Sequence, residues 1–463
     1  MRNLIKSKYV FVLFPIVLIA WKLVLFLIYP KVSTDGPWTL SHLFSFMRGD
    51  YNRSIFAHNF DNDIYTTYAL ELLLIPFYQI VGEISTYKFI LISFFFITLS
   101  VIIIKKITSN SYNANFLFFL FSTSLLSSIY TFGLRSETYI IPFMLLMVLQ
   151  VFYLRNHKHS NFKVGLIGFL GAFIFLIHPA SAIFTILLIL YILSMKWISL
   201  REFSMIVGVG LLSVLLLSGF RLLDYLALFT GSNELDNHSF SFSHFIKYIS
   251  FTPIILSLLF FSMTRKTFLV KGLFIIGFVA LTCAFGRSYY FSYTIPFILL
   301  FFADVEKIRL NFYLRSISLL FIGYGLYITH VFPTIQNIEN PKLSYSYRTL
   351  LIEVDKMGKT IDQENKIWVS SQLGMEIIDQ ANSRLHHHFY KTMSGEEIIL
   401  REGDVMLFWN KNKIKERIKS QIKHNYEDLN INTIVEPVKD HYKITRPFLD
   451  RGSDIGLWSV SLK

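Results

Sequence analysis

Residues 9–29 read YVFVLFPIVLIAWKLVLFLIY, an apolar run long enough to cross a bilayer, with one charge, Lys22, inside it. The run is too long for the core of a typical signal peptide and no small-residue cleavage site accompanies it, so it is expected to remain as a first span. Lys22 can snorkel outward along such a helix. Working outward, similar runs come at 87–104, 114–132, 138–154, 164–178, 180–195, 203–222, 245–264, 268–286, 288–303 and 312–330. The pattern predicts a mainly α membrane protein with about eleven transmembrane helices. Composition agrees: 53% of the 463 residues are hydrophobic, only 16% are charged, and the mean hydropathy is +0.49. Soluble domains carry about a quarter charged residues.

The formal net charge of +13 would suggest a nucleic-acid partner in a soluble protein. Here the bases sit in short connections: Arg2, Lys6 and Lys8; Lys105 and Lys106; Arg155, Lys158 and Lys163; Lys196 and Arg201; Arg265, Lys266 and Lys271; Lys307, Arg309 and Arg315. Bilayer orientation explains that alternation, so no nucleic-acid partner is expected. The positive-inside rule puts these loops and the N-terminus in the cytoplasm, and the C-terminus outside. Residues 64–82 are apolar enough to span, but a crossing there would invert every later loop. They are expected to form an interfacial or re-entrant helix within a long first outer loop, 30–86. Apart from Lys22, the spans are almost free of charge at mid-depth, which argues against ion-coupled transport. The single cysteine, Cys283, excludes an intrachain disulfide and any Cys-pair redox or Cys-based metal site.

From about residue 331 the chain takes on soluble-protein polarity. Helices are expected near 345–359 and 413–425, and strands near 367–370, 405–409, 432–435 and 456–462. This divides the chain into a polytopic domain, 1–330, and a small extracytoplasmic α/β domain, 331–463. Abundant Ile, Phe, Asn and Lys point to an AT-rich genome, hence to the inner membrane of a bacterium.

The first outer loop holds Asp35, Asp50, Asp61 and Asp63 among Trp38, Tyr51 and Phe60. Carboxylates at a membrane surface can act as general bases or hold a divalent cation, and they can equally be ordinary solvated loop residues. His386-His387-His388 is not a metal motif, because three adjacent residues do not share one face of a regular element.

Ser33-Thr34-Asp35-Gly36 follows the first span, then Leu40, Leu43 and Phe46, then Arg48-Gly49-Asp50-Tyr51 and the apolar stretch Leu72–Gly82. Gly133-Leu134-Arg135-Ser136-Glu137 joins the third and fourth spans, and His178-Pro179 ends the fifth. Arg287-Ser288-Tyr289-Tyr290-Phe291-Ser292-Tyr293-Thr294-Ile295-Pro296 opens a late span. Together these resemble the GT-C superfamily of polytopic glycosyltransferases, which includes the protein O-mannosyltransferase and lipid A aminoarabinose transferase families. Gly36 stands where that superfamily often has a second acidic residue, and its Pro pair before the apolar stretch is missing.

The resemblance implies a donor sugar on a polyprenyl phosphate or diphosphate and an acceptor hydroxyl on a lipid, glycan or protein. It gives Asp35 the role of catalytic base, with Glu137 as a second carboxylate or an orienting partner for Arg135. Arg135 and Arg287 would stabilise the departing phosphate, and His178 would touch phosphate or sugar. Tyr290 and Tyr293 would stack on the sugar or line the lipid groove, and Asp50 would bind substrate. If a divalent cation takes part, Asp35 and Glu137 would hold it; no other cofactor is implied. Local alternatives stand beside these roles: a loop ion pair for Glu137, a helix-end histidine for His178, an interfacial aromatic belt for the tyrosines. At the level of the whole chain, the alternatives are a transporter or flippase of lipid-linked glycans and a glycan polymerase or ligase.

Overall fold

The structure is a computed structural model describing residues 8–28, 69–81, 86–109, 114–126, 136–155, 160–178, 181–218, 293–303, 312–327, 331, 334–335, 367–369, 403–408, 429–438 and 455–462. The chain divides into two compact units. One collects Met1–Val24, Thr67–Leu70 and Ser93–Phe332; the other Leu25–Thr66, Glu71–Ile92 and Pro333–Lys463.

The described helices are α1 (Lys8–Ile28), α2 (Ala69–Val81), α3 (Thr86–Thr108), α4 (Ala114–Leu126), α5 (Ser136–Arg155), α6 (Asn161–Ile177), α7 (Ser181–Ser194), α8 (Leu200–Leu217), α9 (Thr294–Ala303) and α10 (Phe312–Leu326). They form where the apolar runs predict. Among the described residues, Leu91–Thr108, Thr138–Arg155 and Leu200–Leu217 are long and apolar enough to cross a membrane, and Tyr9–Leu25, Ala114–Leu126, Asn161–Ile177 and Ser181–Ser194 are shorter apolar helices. The expected spans at 245–264 and 268–286, and the tail helices, lie outside the described residues. Residues 64–82 contain α2, with Pro76 inside it.

Side-chain contacts within the first unit fix the direction of each helix. Phe143 meets Phe173 (ring centroids 5.0 Å apart) and Lys163 lies over Tyr153 (5.2 Å), so α5 and α6 are antiparallel. The Ser181 N–H donates to the His178 carbonyl (3.0 Å), turning the chain from α6 into an antiparallel α7. Phe96 touches both Tyr139 (5.1 Å) and Phe143 (6.5 Å), and Ser93, one turn before Phe96, is near the Tyr139 side chain, so α3 runs parallel to α5. Lys105 Nζ donates to Asn115 Oδ1 (2.9 Å), folding α4 back on α3. Phe11 meets Phe116 (5.7 Å) and Phe119 (5.2 Å), and Phe14 meets Phe119 (5.3 Å), so α1 runs parallel to α4.

Helices α6 and α8 are parallel and nearly touch at the backbone. A Cβ on Gly168 would stand 2.4 Å from the Ile206 carbonyl oxygen and 3.2 Å from Gly210 N, so only glycine admits this crossing. The start of α8 is held by a capping box. The Glu202 N–H donates to Ser199 Oγ (3.2 Å), and Glu202 Oε2 accepts from Ser199 N (2.8 Å).

Lys22 lies off the exposed stripe of α1. The exposed stripe of α1 is Tyr9, Val10, Leu13, Ile16, Val17, Trp21 and Val24, while Leu18 is buried and Phe11 and Phe14 pack on α4. At 100° per residue, Lys22 shares the face of Phe11, Pro15 and Leu18, opposite the exposed stripe.

In the second unit β1 (Ile367–Val369), β2 (Val405–Phe408), β3 (Leu429–Val438) and β4 (Ile455–Leu462) form one sheet in the order β1-β2-β4-β3. β1 and β2 are parallel, pairing Trp368 with Met406, so the chain between them must cross over. β4 is antiparallel to β2 and β3, pairing Trp458 with Met406 and with Thr433. β3 lies at the sheet edge, and its register shifts between Val435 and Val438. Pro437 falls in that irregular stretch, where its missing N–H breaks no regular ladder. Gly403, at φ 86°, supplies the left-handed turn into β2.

Candidate functional site at one end of the helix bundle

The helix directions sort the charged and candidate residues onto two ends of the first unit. Lys105, Arg155, Lys163, Lys196 and Arg201 share one end. There Arg155 lies over the Trp197 ring (5.3 Å), which meets Tyr191 edge-on (5.8 Å). The opposite end carries the start of α5, the end of α6 and the starts of α7 and α9. It gathers Glu137, His178 and Tyr293.

His178 follows the last residue of α6. Pro179 disfavours a helical conformation at the residue before it, and His178 is accordingly extended (φ −153°, ψ 114°), with its N–H still donating to the Ile174 carbonyl (3.2 Å). Ser181 Oγ lies 2.6 Å from the His178 carbonyl and 2.9 Å from the Ile174 carbonyl, satisfying acceptors that the end of α6 leaves open. The backbone carrying His178 is therefore held from both sides.

Tyr293 enters α9 and is fully buried, with its ring 5.3 Å from Phe184 of α7 at an interplanar angle of 64°. It sits inside the bundle as a packed core residue tying α9 to α7. Glu137 is the second residue of α5. Asp35, Asp50, Arg135, Arg287 and Tyr290 lie outside the described residues, as does His386-His387-His388. Among the described residues no group of three His, Cys, Asp or Glu could hold a metal ion.

Sequence reasoning passed over several polar residues buried toward this same end. Ser93, Thr138 and Tyr139 are buried where α3 meets α5, Ser181 and Thr185 line α7, and Ser122 and Thr123 lie in the last turns of α4. The signal was the cluster Ser122-Thr123-Ser124 inside an otherwise apolar helix.

The described helices form a bundle with polar groups gathered at the end opposite its basic connections, the fold of a multi-pass membrane protein. The solved structure of ArnT from Cupriavidus metallidurans bound to undecaprenyl phosphate is similar to it at a TM-score of 0.60, with 10% sequence identity, over 96% of this chain and 97% of that one. No family model matches the chain, and no curated protein matches it.

Proposed function

We propose that this protein is a membrane glycosyltransferase that moves a sugar from a polyprenyl-phosphate-linked donor to an acceptor hydroxyl at the extracytoplasmic face. The observation that carries this reading is the near full-length likeness to an ArnT structure that holds undecaprenyl phosphate. The motifs resembling GT-C enzymes support it, since the described ones fall at one end of the bundle. The basic end is cytoplasmic by the positive-inside rule, which turns the His178 end outward. The strands of 367–462 would belong to a small α/β domain on that outer side.

In the proposed reaction Asp35 accepts the proton of the acceptor hydroxyl as its oxygen bonds to the anomeric carbon. The bond between that carbon and the phosphate oxygen breaks, and the polyprenyl phosphate leaves with the electron pair. Attack opposite the leaving group inverts the anomeric centre. Arg135 and Arg287 stabilise the departing phosphate, where bidentate guanidinium contacts are strong. Glu137 orients Arg135 or serves as second carboxylate, His178 contacts phosphate or sugar, and Asp50 and Tyr290 bind substrate. Tyr293 supports the site from within the bundle. A divalent cation, if the reaction uses one, would be held by Asp35 and Glu137.

The test is Asp35→Asn in purified full-length protein given a defined polyprenyl-phosphate sugar and candidate acceptors. Transfer should fall by about 100-fold or more, with insertion and expression unchanged. Turnover retained at the wild-type rate would remove Asp35 from the mechanism.

A further inference from the structure

Between Arg155 and Leu217 the chain carries the bases Arg155, Lys158, Lys163, Lys196 and Arg201 and a single acid, Glu202. That carboxylate is engaged in local structure: Glu202 Oε2 accepts from Ser199 N (2.8 Å) and from Ser199 Oγ (2.9 Å). Neither Lys196 nor Arg201 has an ion-pair partner among the described residues. The basic end of the bundle thus presents positive charge that the described residues leave unneutralised.

The turn between α7 and α8 concentrates that charge. The Trp197 N–H donates to the Ile192 carbonyl (3.0 Å) and the Lys196 N–H to the Leu193 carbonyl (2.9 Å), a pattern that closes a helix through one left-handed residue. That residue is Lys196, at φ 57°. Glycine is the ordinary choice there, because a Cβ crowds the neighbouring carbonyl. A lysine therefore stands where the backbone disfavours it, with its side chain exposed. Beside it, Trp197 is held by Arg155, whose guanidinium lies over the ring (5.3 Å), and by Tyr191 edge-on (5.8 Å). Arg201, also exposed, follows four residues later in the first turn of α8.

What this charge faces is set by α8. Of Leu200–Leu217 only 11% is buried, against 61% of Leu91–Thr108 and of Thr138–Arg155. The exposed residues recur at helical spacing through Ser204, Val207, Leu211 and Leu215, and Arg201 heads that stripe. The Ser204 hydroxyl donates to the Leu200 carbonyl (3.0 Å), so it is satisfied within the helix. A soluble anion would match the cations alone. A phospholipid matches the cations with its headgroup and the apolar stripe with its chains.

We propose that Lys196 and Arg201 hold the phosphate of an anionic glycerophospholipid whose acyl chains lie along the exposed face of α8. Arg155 is a positioning residue that fixes the Trp197 ring at the headgroup level, where tryptophan is favoured. In the orientation proposed above, the lipid belongs to the cytoplasmic leaflet, on the side opposite His178. The inference depends on that orientation for the leaflet alone and is independent of glycosyl transfer.

The test titrates the full-length protein in neutral detergent with phosphatidylglycerol, phosphatidylcholine or inorganic phosphate and reads the unfolding midpoint, which rises with any ligand that binds the folded state. Phosphatidylglycerol should raise it and the other two should not. Each cation beside an anionic lipid contributes about five-fold in affinity. Lys196→Gly should therefore weaken the apparent phosphatidylglycerol affinity about five-fold, and Lys196→Gly with Arg201→Gln about 25-fold. Without lipid, Lys196→Gly should unfold no lower than wild type, because glycine accepts the left-handed backbone, so its weaker lipid binding cannot come from a damaged fold. Lys106→Gln removes an exposed charge from the last turn of α3 at the same end and should stay within about two-fold of wild type. The inference is overturned if phosphatidylcholine or inorganic phosphate stabilises as well as phosphatidylglycerol, or if Lys196→Gly binds phosphatidylglycerol as wild type does. It is overturned equally if Lys106→Gln weakens binding as much as Lys196→Gly, since the response would then be to overall charge. All of these outcomes leave the role of Asp35 to its own test.

Discussion

Replacing Gly168 with alanine would drive a methyl group into the backbone of α8. The added Cβ would stand 2.4 Å from the Ile206 carbonyl oxygen and 3.2 Å from Gly210 N. Both are main-chain atoms, so no rotamer change relieves the clash. Ordinary contact begins at 3.4 Å, so α6 and α8 must part by about 1 Å, the difference between 3.4 and 2.4 Å. A gap of that size forfeits about a quarter to a half of the dispersion attraction across the crossing. Overpacking of this kind costs about 1–3 kcal/mol. We expect about 2 kcal/mol, read as a fall of roughly 3–6 °C in the unfolding midpoint of the detergent-purified protein. Gly208 is the control, because a Cβ there meets nothing within 4 Å. Gly208→Ala should be neutral or slightly stabilising, since alanine is the better helix former by up to about 1 kcal/mol. The packing argument is refuted if the Gly168→Ala and Gly208→Ala proteins unfold at the same temperature.

Two further outcomes are expected. Ser199→Ala removes the hydroxyl that caps α8 and should lower stability by about 1 kcal/mol in the same thermal assay; an unchanged midpoint would show the cap to be unimportant. In a Cys283→Ser background, single cysteines at Ser109 and Ser160 should label from the cytoplasmic side and one at Ser136 from the opposite side. Labelling of all three from one side would remove the outward-facing site.

The existence and type of most elements were legible beforehand. Helices α3, α5, α6 and α7 begin and end within a few residues of the apolar runs, because twenty or so apolar residues have few stable alternatives to a helix. His178-Pro179 marked the end of α6 for a local reason, the restriction proline places on the residue before it. The capping box of Ser199 and Glu202 starts α8 at Leu200, three residues before the apolar run that was expected from 203.

Which face of each helix turns inward was not legible. In a soluble protein, polar residues mark the outer face of a helix and periodicity reveals the core. In a membrane helix, lipid and protein interior are equally apolar, so leucine carries no information about direction. Thr123 and Gly168 therefore read alike as residues inside apolar runs, and Lys22 stood out by its charge and not by its direction. Only tertiary contacts separate them: Phe14 against Phe119 turns Lys22 toward α4, and Gly168 against Ile206 brings two backbones together. The sequence by itself determined that helices form and where they stop, because those depend on neighbours along the chain. The tertiary structure decided which residues meet, because that depends on side-chain shape between segments far apart in the chain.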